Sequence, residues 1–525
     1  MFGQLKTIVP CVLALGLATA ANAGTIRLTS LDGNTALSGE FVSFDGEKYT
    51  IKTIVGELQV DAFQVLCEGD DCPTLEVESA AFGISGSSKV VGNLFADLMF
   101  EFGLDIGGDS LTSIGTDGPT MIQLQNELGE ELAEVSLMAN GSAQGFNDLL
   151  SGDALLALTT RAVGNDEKTV FAAAGHGDLS SEAQQKIFAL DALVIVTARS
   201  NPLRVVAEQD LAKIFSGRVT NWDQIGGPSA PINLYVRDPN SGTGSVFANL
   251  VMKPVGASLS PKATILGTDA EVASAVAADP LGIGITGFSD SGSAKVVDIR
   301  GVCGIQVPAT SFTIKTEEYP LTRRIFAYTS AKDVPAQLNR FLRFLDTDAA
   351  QIAVANAGYV DLGVSYQSND EQGLRYLSAV MPTDVEVSLK QLRRMTGDLM
   401  ASDRMSITYR FALGSSQLDA RARDDIQRLA NVLATGDYQN KELLLIGFTD
   451  SVGPGSSNLA LSEQRAQQVQ NALVAAAPAG SLDNLPVRSL GYGEISPLSC
   501  NESDNGRRIN RRVEVWLRDI VTVSR

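Results

Sequence analysis

The stretch Arg237-Asp238-Pro239-Asn240-Ser241-Gly242-Thr243-Gly244 gathers one guanidinium, two hydroxyls and two glycines in a short span. It follows an apolar run, Ile232 to Val236, that reads as a buried strand. Behind it, Val246, Leu250 and Val251 are spaced as one face of a short helix. The loop therefore delivers Ser241, Gly242 and Thr243 to a helix start, where N–H groups lack partners within the helix and the dipole is positive. Such a set suits a tetrahedral oxyanion; a Ser/Thr-capped helix after a turn is the plainer alternative. A second constellation lies far downstream. Asp450 stands in a loop and Arg465 on the helix that begins just after it, so the two can face one pocket. A carboxylate and a guanidinium at fixed separation suit a zwitterionic amino-acid head, Asp450 meeting its ammonium and Arg465 its carboxylate. A structural ion pair is the alternative.

These residues need elements to hold them. Gly24 to about Pro73 alternates apolar and polar residues, with Asp32-Gly33 and Asp45-Gly46 as hairpin turns and Phe41–Phe44, Tyr49–Ile51 and Leu58–Val60 as short strands. From about Glu78 the pattern becomes strands alternating with helices. Ala81 to Ile84 runs into Ser85-Gly86-Ser87-Ser88-Lys89, then Val90, Val91, Leu94, Leu98 and Met99 at helical spacing. Ala133 to Met138 runs into Asn140-Gly141-Ser142-Ala143-Gln144-Gly145, then Phe146, Leu149 and Leu150. With the Arg237 loop, this makes three loops that aim N–H groups and hydroxyls from the C-terminal end of a strand, the edge at which open α/β sheets bind ligands. Gly152 to Thr160 and Phe188 to Val196 read as buried strands, the latter entering a second lobe. Gly363 to about Arg404 reads as a connector with a helix from Val385 to Met400. Beyond it, strands (Ile407–Phe411, Leu443–Phe448, Val487–Gly491, Arg512–Leu517) alternate with helices (Ala420–Ala434, Leu461–Ala477).

At 525 residues the chain is too long for one core. Its net charge of −20 and pI near 4.6 argue against nucleic acid and against anionic membrane surfaces. An anionic ligand must therefore be held by local dipoles and hydrogen bonds in a closed cleft. Lys6, the apolar stretch Ile8 to Ala18 and Ala21-Asn22-Ala23 form a secretory signal pattern with cleavage expected after Ala23, which makes disulfides permissible. Cys67 and Cys72 bracket a tight loop and are expected to pair; Cys303 with Cys500 requires two distant regions to touch. A single histidine, His176, and no C-x-x-C argue against a zinc site.

Ile214-Phe215-Ser216-Gly217 with Asn221-Trp222, followed by Arg237 and Ser241-Gly242-Thr243, closely resembles the periplasmic phosphate-binding proteins of ABC importers. Ala277 to Gly284 and Tyr319-Pro320-Leu321-Thr322-Arg323-Arg324 fit the same family, over roughly Glu78 to Gly363. The resemblance implies two α/β lobes of the type II periplasmic-binding-protein fold, phosphate or a similar oxyanion held between them, and an importer permease as partner. Carried over by position, Arg237, Ser241, Gly242 and Thr243 would bind the anion from the second lobe and Ser142 from the first. Ser87 and Ser88 would supply the first helix start. The family's acidic residue two places after the arginine is Pro239 here, with Asp238 one place early. A carboxylate at that place accepts a hydrogen bond from the O–H of hydrogen phosphate, and the Pro239 side chain offers no acceptor. At the end of the first-lobe strand stands Thr160-Arg161, where Arg161 either adds a cation to the cleft or sits outside it.

Gly447-Phe448-Thr449-Asp450, Asn458 with Leu461-Ser462, Arg465-Ala466, Gly491-Tyr492-Gly493 and Asn510-Arg511-Arg512-Val513-Glu514 strongly resemble the OmpA-like peptidoglycan-binding domain, an α+β module. The resemblance implies that Asp450 and Arg465 hold the diaminopimelate of the peptidoglycan stem peptide, with Asn458, Asn510 and Arg511 in support. Phe448 stands where the family commonly has histidine, and altered packing is expected there.

The organisation expected is a signal peptide (1–23), a small β-rich module (24–77), a two-lobed solute-binding domain (78–363), a linker with a helix (364–404) and an OmpA-like domain (405–525). The function expected is a non-enzymatic receptor in the periplasm of a Gram-negative bacterium, cell-wall or outer-membrane associated, with no cofactor. The alternative is an envelope scaffold whose receptor fold no longer binds phosphate. No nucleophile with a base supports a phosphate-ester hydrolase.

Overall fold

The computed structural model describes residues 24–30, 36–44, 48–54, 56–62, 65–69, 71–73, 79–114, 120–126, 129, 131–181, 183–331, 334–368, 372–373, 388–400, 402–435, 438, 440–478 and 480–520. The signal pattern and both expected hairpin turns, at Asp32-Gly33 and Asp45-Gly46, lie outside them. The chain divides into two compact units, one ending at Glu78 and one starting at Ser79.

In the first unit, strands β1 (Thr25–Ser30), β2 (Ala36–Phe44), β3 (Lys48–Thr53), β4 (Gly56–Asp61) and β5 (Val65–Glu68) form one antiparallel sheet in the order β4-β3-β2-β1-β5. Ile26, Leu28, Tyr49 and Ile51 make its core, and Cys67–Cys72 is a disulfide, as the sequence leads one to expect.

The second unit begins with β6 (Ala80–Gly86), a π turn at Val90–Leu94 and α1 (Phe95–Asp105). Then come β7 (Gly108–Ile114), β8 (Thr120–Asn126), β9 (Glu131–Met138), α2 (Ser142–Ser151), β10 (Leu156–Thr159) and α3 (Asn165–Ala173). The strand expected from Gly152 starts only at Leu156, because Gly152, at φ 85°, ends α2 in the left-handed conformation. Strand β11 (Gln185–Thr197) crosses to a second lobe. That lobe comprises β12 (Val205–Ala207), α4 (Glu208–Phe215), β13 (Asn233–Arg237), α5 (Gly242–Phe247), β14 (Thr264–Leu266), α6 (Asp269–Ala278), β15 (Gly282–Gly287), β16 (Lys295–Arg300), β17 (Gln306–Val307) and α7 (Ser311–Lys315). Strand β18 (Thr322–Thr329) returns to the first lobe, followed by α8 (Ala336–Phe344) and α9 (Asp348–Asn356).

Crossing is visible in the pairing. The first part of β11 pairs with β18 from Gln185 to Ala192, and its last part with β15 from Leu193 to Thr197. A continuous path therefore runs β14-β13-β15-β11-β18-β10-β6-β9-β8-β7 through both lobes. Each lobe keeps its own core. Leu98, Phe102 and Phe341 lie in the first, and Ile195, Phe215, Trp222 and Ile285 in the second. After α5 the chain forms a π turn, Ala248–Met252, so Leu250 is exposed and Phe247 and Met252 face the core instead.

The C-terminal module contains β19 (Tyr366–Gln367), α10 (Leu389–Leu399), β20 (Ser402–Arg410), α11 (Ala420–Leu433), β21 (Lys441–Phe448), α12 (Gly455–Ala476), β22 (Val487–Gly491), α13 (Asp504–Asn510) and β23 (Arg512–Asp519). Its mixed sheet has the order β19-β20-β23-β21-β22, with only β21 and β22 parallel. Tyr366 and Gln367, read as connector, pair with Met405 and Arg404 and so belong to this sheet.

The module is bolted to the second lobe. Cys303 and Cys500, 197 residues apart, form a disulfide. Glu317, buried and at φ 52°, accepts from Arg324 at 2.6 Å and Arg508 at 3.2 Å and lies 3.8 Å from Arg421. Arg404 pairs with Glu318, and Arg410 donates to the carbonyls of Thr316 and Ile509. Burial and the nearby Arg508 bring the Arg410 guanidinium down to about 9.

Candidate functional site

Strand β6 ends at Gly86, and a helical turn begins at Ser88; β9 ends before Gly141, which starts α2; β13 ends at Arg237, and Ser241 starts α5. The first two belong to the first lobe and the third to the second. They meet. A Cβ on Gly242 would lie 2.4 Å from Thr160 Oγ1 and 3.8 Å from Ser87 Oγ, so the lobes are closed and a larger residue there would push Thr160 aside. The Ser142 hydroxyl accepts from Thr160 N at 3.2 Å and lies 3.5 Å from Thr160 Oγ1. The Gly141 cap gives α2 no side-chain partner at its first turn. Ser87, Ser142, Thr160 and Thr243 are buried, whereas Ser88 is exposed.

The other residues selected from the sequence have different neighbours. Ser241 caps α5: its Oγ accepts from Gly244 N at 3.0 Å and donates to Asp238 O at 2.6 Å. The Asp238 carboxylate accepts from Asn240 N in the same turn. Thr243 Oγ1 donates to Asp269 Oδ2 at 2.9 Å and accepts from Arg323 Nη1 at 3.1 Å. Arg237 Nη1 stands 3.6 Å from the same Asp269 oxygen, too far for a hydrogen bond, and its buried Nε has no partner. Arg161 makes a bidentate pair with Glu167 at 2.6 and 2.8 Å and stacks over Phe146, so it is engaged within the first lobe.

Sequence reading missed the charged layer beneath. Asp191, on β11, is fully buried. Lys89 reaches it at 2.8 Å and Arg323, on β18, at 2.6 Å. Lys89 also pairs with Asp290 of the second lobe at 2.6 Å. Burial pushes the Asp191 carboxyl up, but Lys89 and Arg323 more than offset that and hold it far below the ordinary carboxylate range. A depressed carboxyl contributes stability that is complete above its unfolded value of about 4 and is lost as pH falls through its folded value. Asp191→Asn should therefore lower the thermal midpoint at pH 7 and flatten its decline below about pH 4, as followed by circular dichroism. An unchanged acid limb would contradict this.

In the C-terminal module, the turn after β21 carries Asp450, and α12 carries Asn458 and Arg465; all three are buried. Asp450 Oδ2 accepts from Arg511 Nη1 at 2.7 Å. Arg465 donates to the carbonyls of Ser415 at 2.9 Å and Ala412 at 3.2 Å, and stacks on Phe411. Burial and Arg511 bring its guanidinium down to about 10. Arg465 Nη1, Asn458 Nδ2 and Thr449 Oγ1 are buried without partners, so three polar atoms of this one motif are unmet. Asn510 spends its amide on Leu498, Ser499 and Asn501, holding that loop. Phe448 is buried beneath the Arg512 guanidinium, 4.2 Å from its ring centre.

Residues 122–348 match the model of the PBP superfamily domain, and residues 410–511 that of the OmpA family. The chain joins a PBP superfamily domain to an OmpA family domain. The phosphate-binding protein PstS of Borreliella burgdorferi is 26% identical over 267 residues, 49% of this chain and 90% of that protein. Outer membrane porin F of Pseudomonas fluorescens is 34% identical over 111 residues, 21% of this chain and 32% of the porin; the chain thus spans about a third of that relative. An ABC-type phosphate transport receptor from Vibrio cholerae covers 53% of this chain and 99% of its own, with 21% identity and a TM-score of 0.41. Among the described residues, no helix is long and apolar enough to cross a membrane. Residues 122–348 include Ser142, Thr160, Asp191, Arg237 and Arg323, with Ser87 and Lys89 preceding them, and residues 410–511 include Asp450, Asn458 and Arg465.

Proposed function

We propose that the chain is an envelope receptor that captures phosphate or a similar small oxyanion between the lobes of its PBP domain, while its OmpA domain holds peptidoglycan. The convergence of Ser87, Ser142 and Gly242 across the closed cleft carries this reading. These groups present hydroxyls and helix-start N–H groups from both lobes, and Arg237 supplies a cation at the same strand end. Donors fixed by the fold replace the hydration of the anion without reorganising at binding. The relatives named phosphate-binding protein support the choice of anion, and a permease of the importer class is the partner proposed for it. In the OmpA domain, Asp450 would take the ammonium and Arg465 the carboxylate of a diaminopimelate-like head, and the three unmet polar atoms are further contacts for it. Export through the N-terminal signal belongs to the same proposal.

Calorimetry on the full mature chain tests the receptor half. Phosphate should bind, and Arg237→Ala should weaken it on the order of 100-fold, the cost of removing one partner from a buried charge contact. Heat of binding unchanged in Arg237→Ala would overturn the role of that cation. One observation favours a second reading. Asp269 already faces Arg237 and Thr243, and Pro239 offers no acceptor, as in a scaffold whose receptor fold is filled by its own carboxylate. Absence of heat with both phosphate and sulfate would select it.

A further inference from the structure

Beside Arg237, between α5, the π turn that follows it and strands β13 and β15, lies a cavity of about 280 Å³. Its walls are mainly apolar: Phe247, Met252, Leu259 and Ile285 line it, with the Pro239 ring at its rim. Two cations, Arg237 and Lys253, are among its lining residues and no carboxylate is. Arg237 has donors to spare here: Nε is buried without an acceptor, and Nη1 reaches Asp269 only at 3.6 Å. The nearest acid in sequence, Asp238, is turned to Asn240 N and leaves Pro239 in its place at the wall. Asp269 stands behind this wall, bonded to Thr243 and 3.6 Å from Arg237 Nη1, so the polar end of the cavity lies at Arg237, while a carbon substituent finds along the apolar wall a surface that fits it.

We propose that the cavity is the subsite for an apolar substituent on the captured anion, so that the ligand class is a small alkyl oxyanion, with its charged head on Arg237 and its chain against Phe247, Met252 and Ile285. This rests on the receptor reading above and names its ligand more narrowly. At about 30 Å³ for each water-sized group, the volume takes a tetrahedral head and a chain of about three to five carbons. The occupant is argued from charge and surface together. A purely apolar guest would leave the guanidinium unmet, and inorganic phosphate would leave the apolar walls empty.

The test is a chain-length series on the full protein by calorimetry: inorganic phosphate, then methyl-, propyl- and pentylphosphonate, with propanesulfonate as a second head group. The expected result is an affinity that rises about three- to fourfold per methylene until the cavity is full. Either head group showing that dependence supports the proposal. Ala257→Phe, which fills the cavity from a half-buried position on its wall, should flatten the series and leave phosphate unchanged. The series on the unaltered protein decides the matter by itself if that variant fails to fold. Phosphate binding with no gain along the series would overturn the alkyl subsite and leave the receptor reading standing. No binding by any of these probes would overturn both.

Discussion

Arg465→Ala is expected to abolish binding to purified peptidoglycan sacculi, a loss on the order of 100-fold or more by co-sedimentation. The side chain is fully buried on α12, its Nη1 has no partner, and its other donors tie Ser415 and Ala412. Removing it deletes the cation proposed to receive the ligand's carboxylate and leaves Arg511 beside Asp450, already bonded to it at 2.7 Å. Arg465→Lys should restore little, because an ammonium cannot reproduce the fork that holds two loop carbonyls and a ligand together. Asp450→Asn should also fail to bind while keeping nearly the same shape, which separates lost charge from lost packing. Phosphate binding by these variants should be unchanged. Folded Arg465→Ala that still sediments with sacculi would show that Arg465 only ties the Ser415 and Ala412 carbonyls and holds no ligand.

Glu317→Ala should be the most destabilising single change at the junction between the two domains. Its carboxylate is shared by Arg324, Arg508 and Arg421, which come from β18, α13 and α11. Burial pushes the Glu317 carboxyl up, and those three arginines together pull it well below its ordinary value. Without it, three guanidinium groups face one another in a partly buried space. Leaving a buried charge uncompensated costs about 3–5 kcal/mol. A loss of that size in the unfolding free energy from urea titration is expected, together with protease cleavage near the junction. The Cys303–Cys500 disulfide limits how far the domains can part, so reduction should enlarge the effect. An unfolding free energy within about 0.5 kcal/mol of the parent would mean the cluster is solvated and contributes little.

The PBP and OmpA architecture was legible because local signals and global fold agree. Gly/Ser loops after apolar strands became helix starts, and β22 runs from Val487 to Gly491 as read. The loops chosen for the anion do converge, since strand ends in such a sheet share one edge. The charged layer was not legible. Asp191 sits alone in the apolar run from Phe188 to Val196, and a lone carboxylate there signals a buried partner. Nothing local says that the partners are Lys89 and Arg323, 102 and 132 residues away. The same holds for Asp269, which faces Arg237 of β13 from the start of α6. Adjacent Arg323 and Arg324 show why strand context matters. On β18 the first turns to Asp191 and Thr243 and the second to Glu317, because successive side chains point to opposite faces. The junction escaped for a related reason: its contacts join residues from Cys303 to Arg508, and sequence spacing carries no information about which surfaces of two domains meet.

A crystal structure of the full chain grown in phosphate tests the receptor reading most directly. The expected result is an anion bounded by Ser87, Ser142 and Gly242, with the Arg237 guanidinium turned to it and away from Asp269. Gly242 still closed on Thr160, Arg237 still facing Asp269 and no anion between the lobes at saturating phosphate would contradict it.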